Sequence, residues 1–160
     1  MKSVVQRVID ASVSVGGAVK GRIRCGLLVY LGVALDDAES DADWLAEKIA
    51  NLRIFADAEG KMNVSLKEMV NHDLSKVNGD KTAMGILAIS QFTLLGDAQK
   101  GRRPSWGRAA PPEKAKQLYE YFMQKIREQG LVCESGEFQA HMLVTYTNDG
   151  PVTVLLDSKQ

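Results

Sequence analysis

The residues best equipped for chemistry in this 160-residue chain fall in three clusters. The first is Ser90-Gln91-Phe92-Thr93, a polar end on an otherwise apolar run, where hydroxyl and amide groups need partners or water. Either they satisfy backbone at a strand end, or that end opens into a pocket. The second holds Lys100, Arg102, Arg103 and Arg108 around Trp106, a concentrated positive spot in a chain whose 20 basic and 20 acidic side chains cancel. Such a spot suits a phosphate, or a single-stranded end with a base stacked on the indole, and equally a solvated loop anchored by its aromatic. The third is Asn148-Asp149-Gly150-Pro151-Val152-Thr153. It reads as a tight turn, yet X-Pro is the one linkage where a cis bond is cheap, and a glycine before it lets backbone approach a ligand closely.

A serine or threonine nucleophile needs a neighbouring base, and only two histidines are on offer. His141 falls in an alternating strand pattern and is expected half-buried in a sheet; His72 is expected in a solvated loop. No G-x-S-x-G elbow is present, which disfavours a generic serine esterase. Cys25 and Cys133 lie far apart, with no C-x-x-C or H-E-x-x-H spacing, so neither a metal nor another cofactor is expected.

The elements that must position these clusters follow from periodicity. Residues 4–9 are rich in β-branched side chains and residues 12–15 alternate before Gly16-Gly17, which predicts a hairpin with a primed turn. Residues 22–33 predict a long strand bent at Gly26. Leu45, Ile49 and Leu52 stripe a helix over 40–53, with Ser40 as its expected N-cap. Residues 62–66 alternate as an edge strand, and 71–85 are expected to be an exposed loop. The run 86–94 predicts a central strand covered on both faces. Pro111-Pro112 opens a second helix that Gly130 closes. Strands follow over 131–133, 140–147 and 152–156, the last two joined at the Gly-Pro turn.

Composition bounds the rest. With 45% apolar residues the chain is expected to form one α+β domain over 1–160, with mostly antiparallel and mixed sheets packed against two main helices. A formal net charge of zero excludes wrapping of nucleic acid by bulk charge, so any such site is local. The longest apolar run, residues 26–35, is about half of what a bilayer-spanning helix needs, and a cytoplasmic protein without membrane attachment is expected.

Taken in order, Val5-Gln6-Arg7-Val8, Gly26-Leu27-Leu28-Val29, Asn51-Leu52-Arg53-Ile54-Phe55, Gly60-Lys61-Met62-Asn63, Ser90-Gln91-Phe92-Thr93, Lys100-Gly101-Arg102-Arg103-Pro104-Ser105 and Asn148-Asp149-Gly150-Pro151 resemble the D-aminoacyl-tRNA deacylases of the bacterial and eukaryotic type. The resemblance spans nearly the whole chain. It departs within 71–85, where this chain carries extra residues, and at Trp106, where phenylalanine is expected. It implies hydrolysis of the ester of a D-aminoacyl-tRNA, or of glycyl-tRNA, with L-amino acids refused. It implies a homodimer whose pocket joins Ser90, Gln91, Phe92 and Thr93 of one subunit to a cis Gly150-Pro151 of the other, oriented by Arg7. The partner is the tRNA acceptor end, held by Lys100, Arg102 and Arg103. Lacking a base, the expected mechanism uses backbone amides near Phe92 and Thr93 for the oxyanion and the vicinal ribose hydroxyl to activate water. A nucleic-acid-binding protein without hydrolytic activity is the alternative, since fold does not fix function.

Overall fold

A computed structural model describes residues 1–72, 84–99 and 101–160. Among them, β1 (Lys2–Val15), β2 (Ala18–Ile23) and β3 (Gly26–Gly32) precede α1 (Glu39–Ala50). Next come β4 (Phe55–Ala56), β5 (Met62–Val64), α2 (Leu66–His72) and β6 (Gly85–Ser90). The chain finishes with α3 (Pro112–Glu128), β7 (Val132–Ser135) and β8 (Leu143–Asp157). This is the expected α+β architecture, with one more helix than the periodicity predicts.

The hairpin forms as predicted, with φ of 57° at Gly16 and 82° at Gly17, the two positive angles of a primed turn. β2 and β3 pair with successive halves of β1, through Ala11 with Ile23 and Val8 with Gly26, so the predicted 22–33 strand is one ribbon broken near Cys25. From β3 the sheet continues through β6 to β7 in parallel, Leu31 beside Ser90 and Gly85 beside Val132. β8 covers the other side of β1, antiparallel. Leu27, Leu31 and Ile86 face Leu45, Ile49, Phe122 and Ile126 of the helices, while Leu28, Leu87 and Ile89 face a second cluster with Val8 and Ile23. Burial on both faces explains why β3 and β6 read as unbroken apolar runs.

Several boundaries differ from expectation. Ser40 does not cap α1: the helix starts one residue earlier, Ala38 takes the cap position, and the Asp41 carboxylate accepts the Ala38 N–H at 2.9 Å. The strand expected over 62–66 stops at Val64, and Asn71 and His72 close α2 rather than open a loop. Ser65 and Glu68 form a reciprocal capping box, Ser65 N donating to Glu68 Oε2 at 2.7 Å and Glu68 N to Ser65 Oγ at 3.2 Å. Residues 73–83 of the expected loop lie outside the described residues. The strand expected to reach residue 94 ends at Ser90 and gives way to a 3-10 turn over Phe92–Leu95.

Asp41 also ties the end of the sheet to α1. Asp41 is 7% exposed, and its carboxylate accepts from Ser158 Oγ at 2.7 Å and Lys159 Nζ at 3.0 Å. Burial pushes its pKa up, but the Ser158, Ala38 and Lys159 donors outweigh that and hold it at about 2. A depressed carboxyl stabilises the fold above its unfolded pKa and ceases to do so as pH falls through the folded value. Asp41→Asn is expected to cost about 1 kcal/mol at pH 7, screening by solvent at Lys159 included, and only a small part of that near pH 2, where the carboxyl is half ionised. Urea denaturation of both proteins at the two pH values checks it; an undiminished difference at low pH would overturn the assignment.

Candidate active site

The polar end of β6 sits where the parallel strands β3 and β6 finish, the edge at which open sheets leave a crevice. Gln91 N still donates to Leu31 O at 2.8 Å, and then the chain turns sharply into the 3-10 segment. The turn packs on β3 only because residue 32 is glycine: a Cβ there would lie 2.5 Å from Leu95 Cδ2 and 3.0 Å from Gln91 O. Leu94 N donates back to Gln91 O at 3.2 Å. The amides of Phe92 and Thr93, ahead of that first bond, have no acceptor inside the turn. Gln91 Nε2 donates to Thr93 Oγ1. Phe92 is 53% exposed and meets Trp106 edge to face, centroids 5.3 Å apart at 70°.

Ser90, Gln91, Phe92 and Trp106 line one side of a cavity of about 690 Å³. Thr93 is exposed and lies outside its wall. Residues 138–142 line the cavity too, which the sequence pattern gives no reason to expect. β8 begins at Leu143, so His141 is not the half-buried sheet residue its alternation predicts but an exposed loop residue on the cavity wall. Gln139 beside it holds φ 64°, uncommon for a residue with a side chain. Among the described residues no hydrogen bond joins either histidine to Ser90 or Thr93. Burial pushes the Cys133 thiol up to about 12, which removes it as a nucleophile. No group of three or more His, Cys, Asp or Glu able to hold a metal occurs among the described residues.

Gly150 and Pro151 do not form a turn between two strands. β8 runs through them as one strand, and they belong to a bulge: Val8 pairs with Asn148 and Gln6 with Thr153, so residues 149–152 stand opposite Arg7 alone. The Gly150-Pro151 bond is cis. Arg7 Nε lies 2.8 Å from the Asp149 carboxylate, off the axis of its N–H, and Arg7 Nη1 donates to Ile54 O. Asn148 Nδ2 closes the base of the bulge, donating to Arg7 O at 2.9 Å and Val152 O at 3.1 Å. None of Arg7, Gly150 and Pro151 lines the cavity of the same chain. The second cluster is a loop closed by two bonds between Asp97 and Ser105, with Arg102 and Arg103 exposed. Lys100 lies outside the described residues.

A family model described as D-Tyr-tRNA(Tyr) deacylase matches residues 4–157. The chain belongs to that family. As a D-Tyr-tRNA(Tyr) deacylase family member it is an enzyme, a hydrolase of ester bonds. A D-aminoacyl-tRNA deacylase of Koribacter versatilis is 57% identical over 160 residues, covering 100% of this chain and 99% of its own. One of Thermotoga petrophila is 51% identical with the same coverage. The solved structure of a c-Myc DNA Unwinding Element Binding Protein superposes with a TM-score of 0.84 at 37% identity, over 98% of each chain. No described helix is long and apolar enough to cross a membrane.

Gly150 holds φ 116°, and a Cβ there would lie 2.8 Å from Val152 Cγ2 and 3.0 Å from Arg7 Nη2. Gly150→Ala is therefore expected to destabilise the protein by about 1–3 kcal/mol. Gly107→Ala, whose Cβ would meet only Ser105 Oγ at 3.7 Å, serves as a neutral reference. Equal denaturation midpoints for the two would contradict this account of the bulge.

Proposed function

We propose that the chain hydrolyses the ester between a D-amino acid and the terminal ribose of a tRNA, releasing free tRNA and the D-amino acid while refusing L-aminoacyl-tRNA. The observation that carries this reading is the pair of amides at Phe92 and Thr93, left open by the 3-10 turn beside the cavity. Water adds to the ester carbonyl, the oxyanion takes the two N–H groups, and the ribose oxygen leaves with a proton. Each such donor is worth about 3 kcal/mol in the transition state. An ester is activated enough to need little more, and Ser90 and Thr93 have no histidine partner to make them nucleophiles. The vicinal 2′ hydroxyl of the substrate activates the water. The mechanism uses no cofactor.

In this reading the enzyme is a homodimer, and the Gly150-Pro151 bulge of one subunit reaches the Ser90-Gln91-Phe92-Thr93 site of the other. None of the fifteen residues of β8 is fully buried, and Leu143, Tyr146 and Leu155 are exposed, Leu155 by 75%, which supports a partner on this strand. Arg7 sets the bulge, whose main chain collides with an L side chain at the substrate α-carbon. Glycine carries no such side chain and passes. Lys100, Arg102 and Arg103 meet phosphates of the acceptor end without reading sequence. The location proposed is the cytoplasm, where charged tRNA is used. A second reading, a nucleic-acid-binding protein without hydrolysis, draws on the name of the 37% identical structure.

Release of D-tyrosine and L-tyrosine from the same charged tRNA separates the two readings. Fast loss of the D form alone is expected; no loss of either leaves only binding. A tRNA ending in 2′-deoxyadenosine is expected to bind without turnover, and Thr93→Ala to keep much of its activity; rapid deacylation of the deoxy substrate would rule out the hydroxyl's role. Removing Arg102 and Arg103 together should lower the slope of log affinity against log salt by about 1–2. An unchanged slope would return that loop to a solvated role.

A further inference from the structure

Trp106 occupies an unusual place between the second cluster and the first. Gly96 follows the 3-10 turn directly, its N–H donating to Thr93 O at 3.0 Å. A Cβ on Gly96 would lie 2.5 Å from Cζ3 of Trp106, so the indole fills the space that any other residue at position 96 would claim. The same indole abuts the Phe92 ring. Asp97 and Ser105, the residues next to Gly96 and Trp106, exchange main-chain bonds of 2.9 and 2.8 Å. Beyond Trp106 the chain is fastened to the end of β3, Leu35 N donating to Arg108 O at 3.1 Å and Ala110 N to Val33 O at 2.9 Å. The loop carrying Arg102 and Arg103 is thus closed at its base, and the base is pinned by the indole to the turn that carries the open amides.

We infer that Trp106 is a positioning residue, which makes the basic loop and the Phe92–Leu95 turn one rigid unit and so holds the Phe92 and Thr93 amides in line when tRNA is gripped. The inference rests on the function proposed above. At 41% exposure the indole is not a core residue; what it touches is Gly96 and Phe92, and its effect passes through them. Small misplacements of catalytic groups are expensive in rate, whereas phosphate contacts at the loop tip survive them.

The test is a split between turnover and binding on D-tyrosyl-tRNA. In Trp106→Ala the Asp97 and Ser105 bonds still close the loop, so kcat is expected to fall about tenfold or more with KM within about threefold. Trp106→Phe, which restores a ring against Phe92, recovers most of kcat. Gly96→Ala keeps the indole but displaces it, and reproduces the loss. Salt dependence of KM stays that of the wild type in all three. Wild-type kcat in Trp106→Ala or Gly96→Ala, a rise in KM with kcat intact, or Trp106→Phe no better than Trp106→Ala would overturn the inference. A second measurement does not need turnover. The chain has 2 tryptophans, so with Trp44→Phe the emission comes from Trp106 alone, and adding Phe92→Ala is expected to shift it. An unmoved emission counts against the positioning role. Wild type that releases no D-tyrosine counts against the proposed function instead.

Discussion

The register of β8 on β1 is the constraint from which the rest follows. Both flanks of the bulge pair with the same strand, so four residues are forced out of the ladder opposite a single arginine. A guanidinium is suited to that position because it is planar, always charged and carries donors in several directions. Arg7 sets its charge beside Asp149 of the bulge and donates to the carbonyl of Ile54, which joins the deformed edge of the sheet to the segment between α1 and β4. Asn148 does the complementary work from below, holding Arg7 O and Val152 O with one amide nitrogen. The projecting main chain is therefore held by Arg7 from β1 and by Asn148 from its own strand.

At the other end of the sheet the logic is reversed, because groups are left open rather than tied. The parallel step from β3 to β6 aligns two strand ends, and glycine at position 32 lets the next turn lie across them. A tight 3-10 turn frees amides at its start, which supplies hydrogen-bond donors without any titrating side chain. Donors at the site thus come from backbone, and the side chains around it are apolar or aromatic apart from Ser90, Gln91, Gln139 and His141.

Much of this is legible in the amino-acid sequence. Gly16-Gly17, the unbroken apolar runs and Pro111-Pro112 each have one local solution, and the structure adopts it. What escaped was decided by partners distant in sequence. Residues 148–151 have the composition of a turn, and only pairing with β1 on both sides makes 149–152 a bulge. His141 alternates like a strand residue, yet the strand starts two residues later because the loop before it walls the cavity. Phe92 and Thr93 have strand propensity, which Gly32 overrides by admitting the turn. α2 is different: Ser65 and Glu68 announced it by spacing, and the alternation of the preceding residues masked the signal. Among the site residues, Ser90, Gln91 and Phe92 meet at one cavity, while Arg7, Gly150 and Pro151 gather at a separate place on the same chain.

The pairing of β1 with β8 also bears on how the molecule is made. Lys2 lies beside Asp157 in the finished sheet, so the first strand synthesised waits for nearly the last. Until then one side of a fourteen-residue strand stays bare, a template for any extended neighbour. Closure across such a sequence distance is intrinsically slow, and the nascent chain depends on the hairpin with β2 and β3, formed early and nearby, to keep β1 occupied on its other flank.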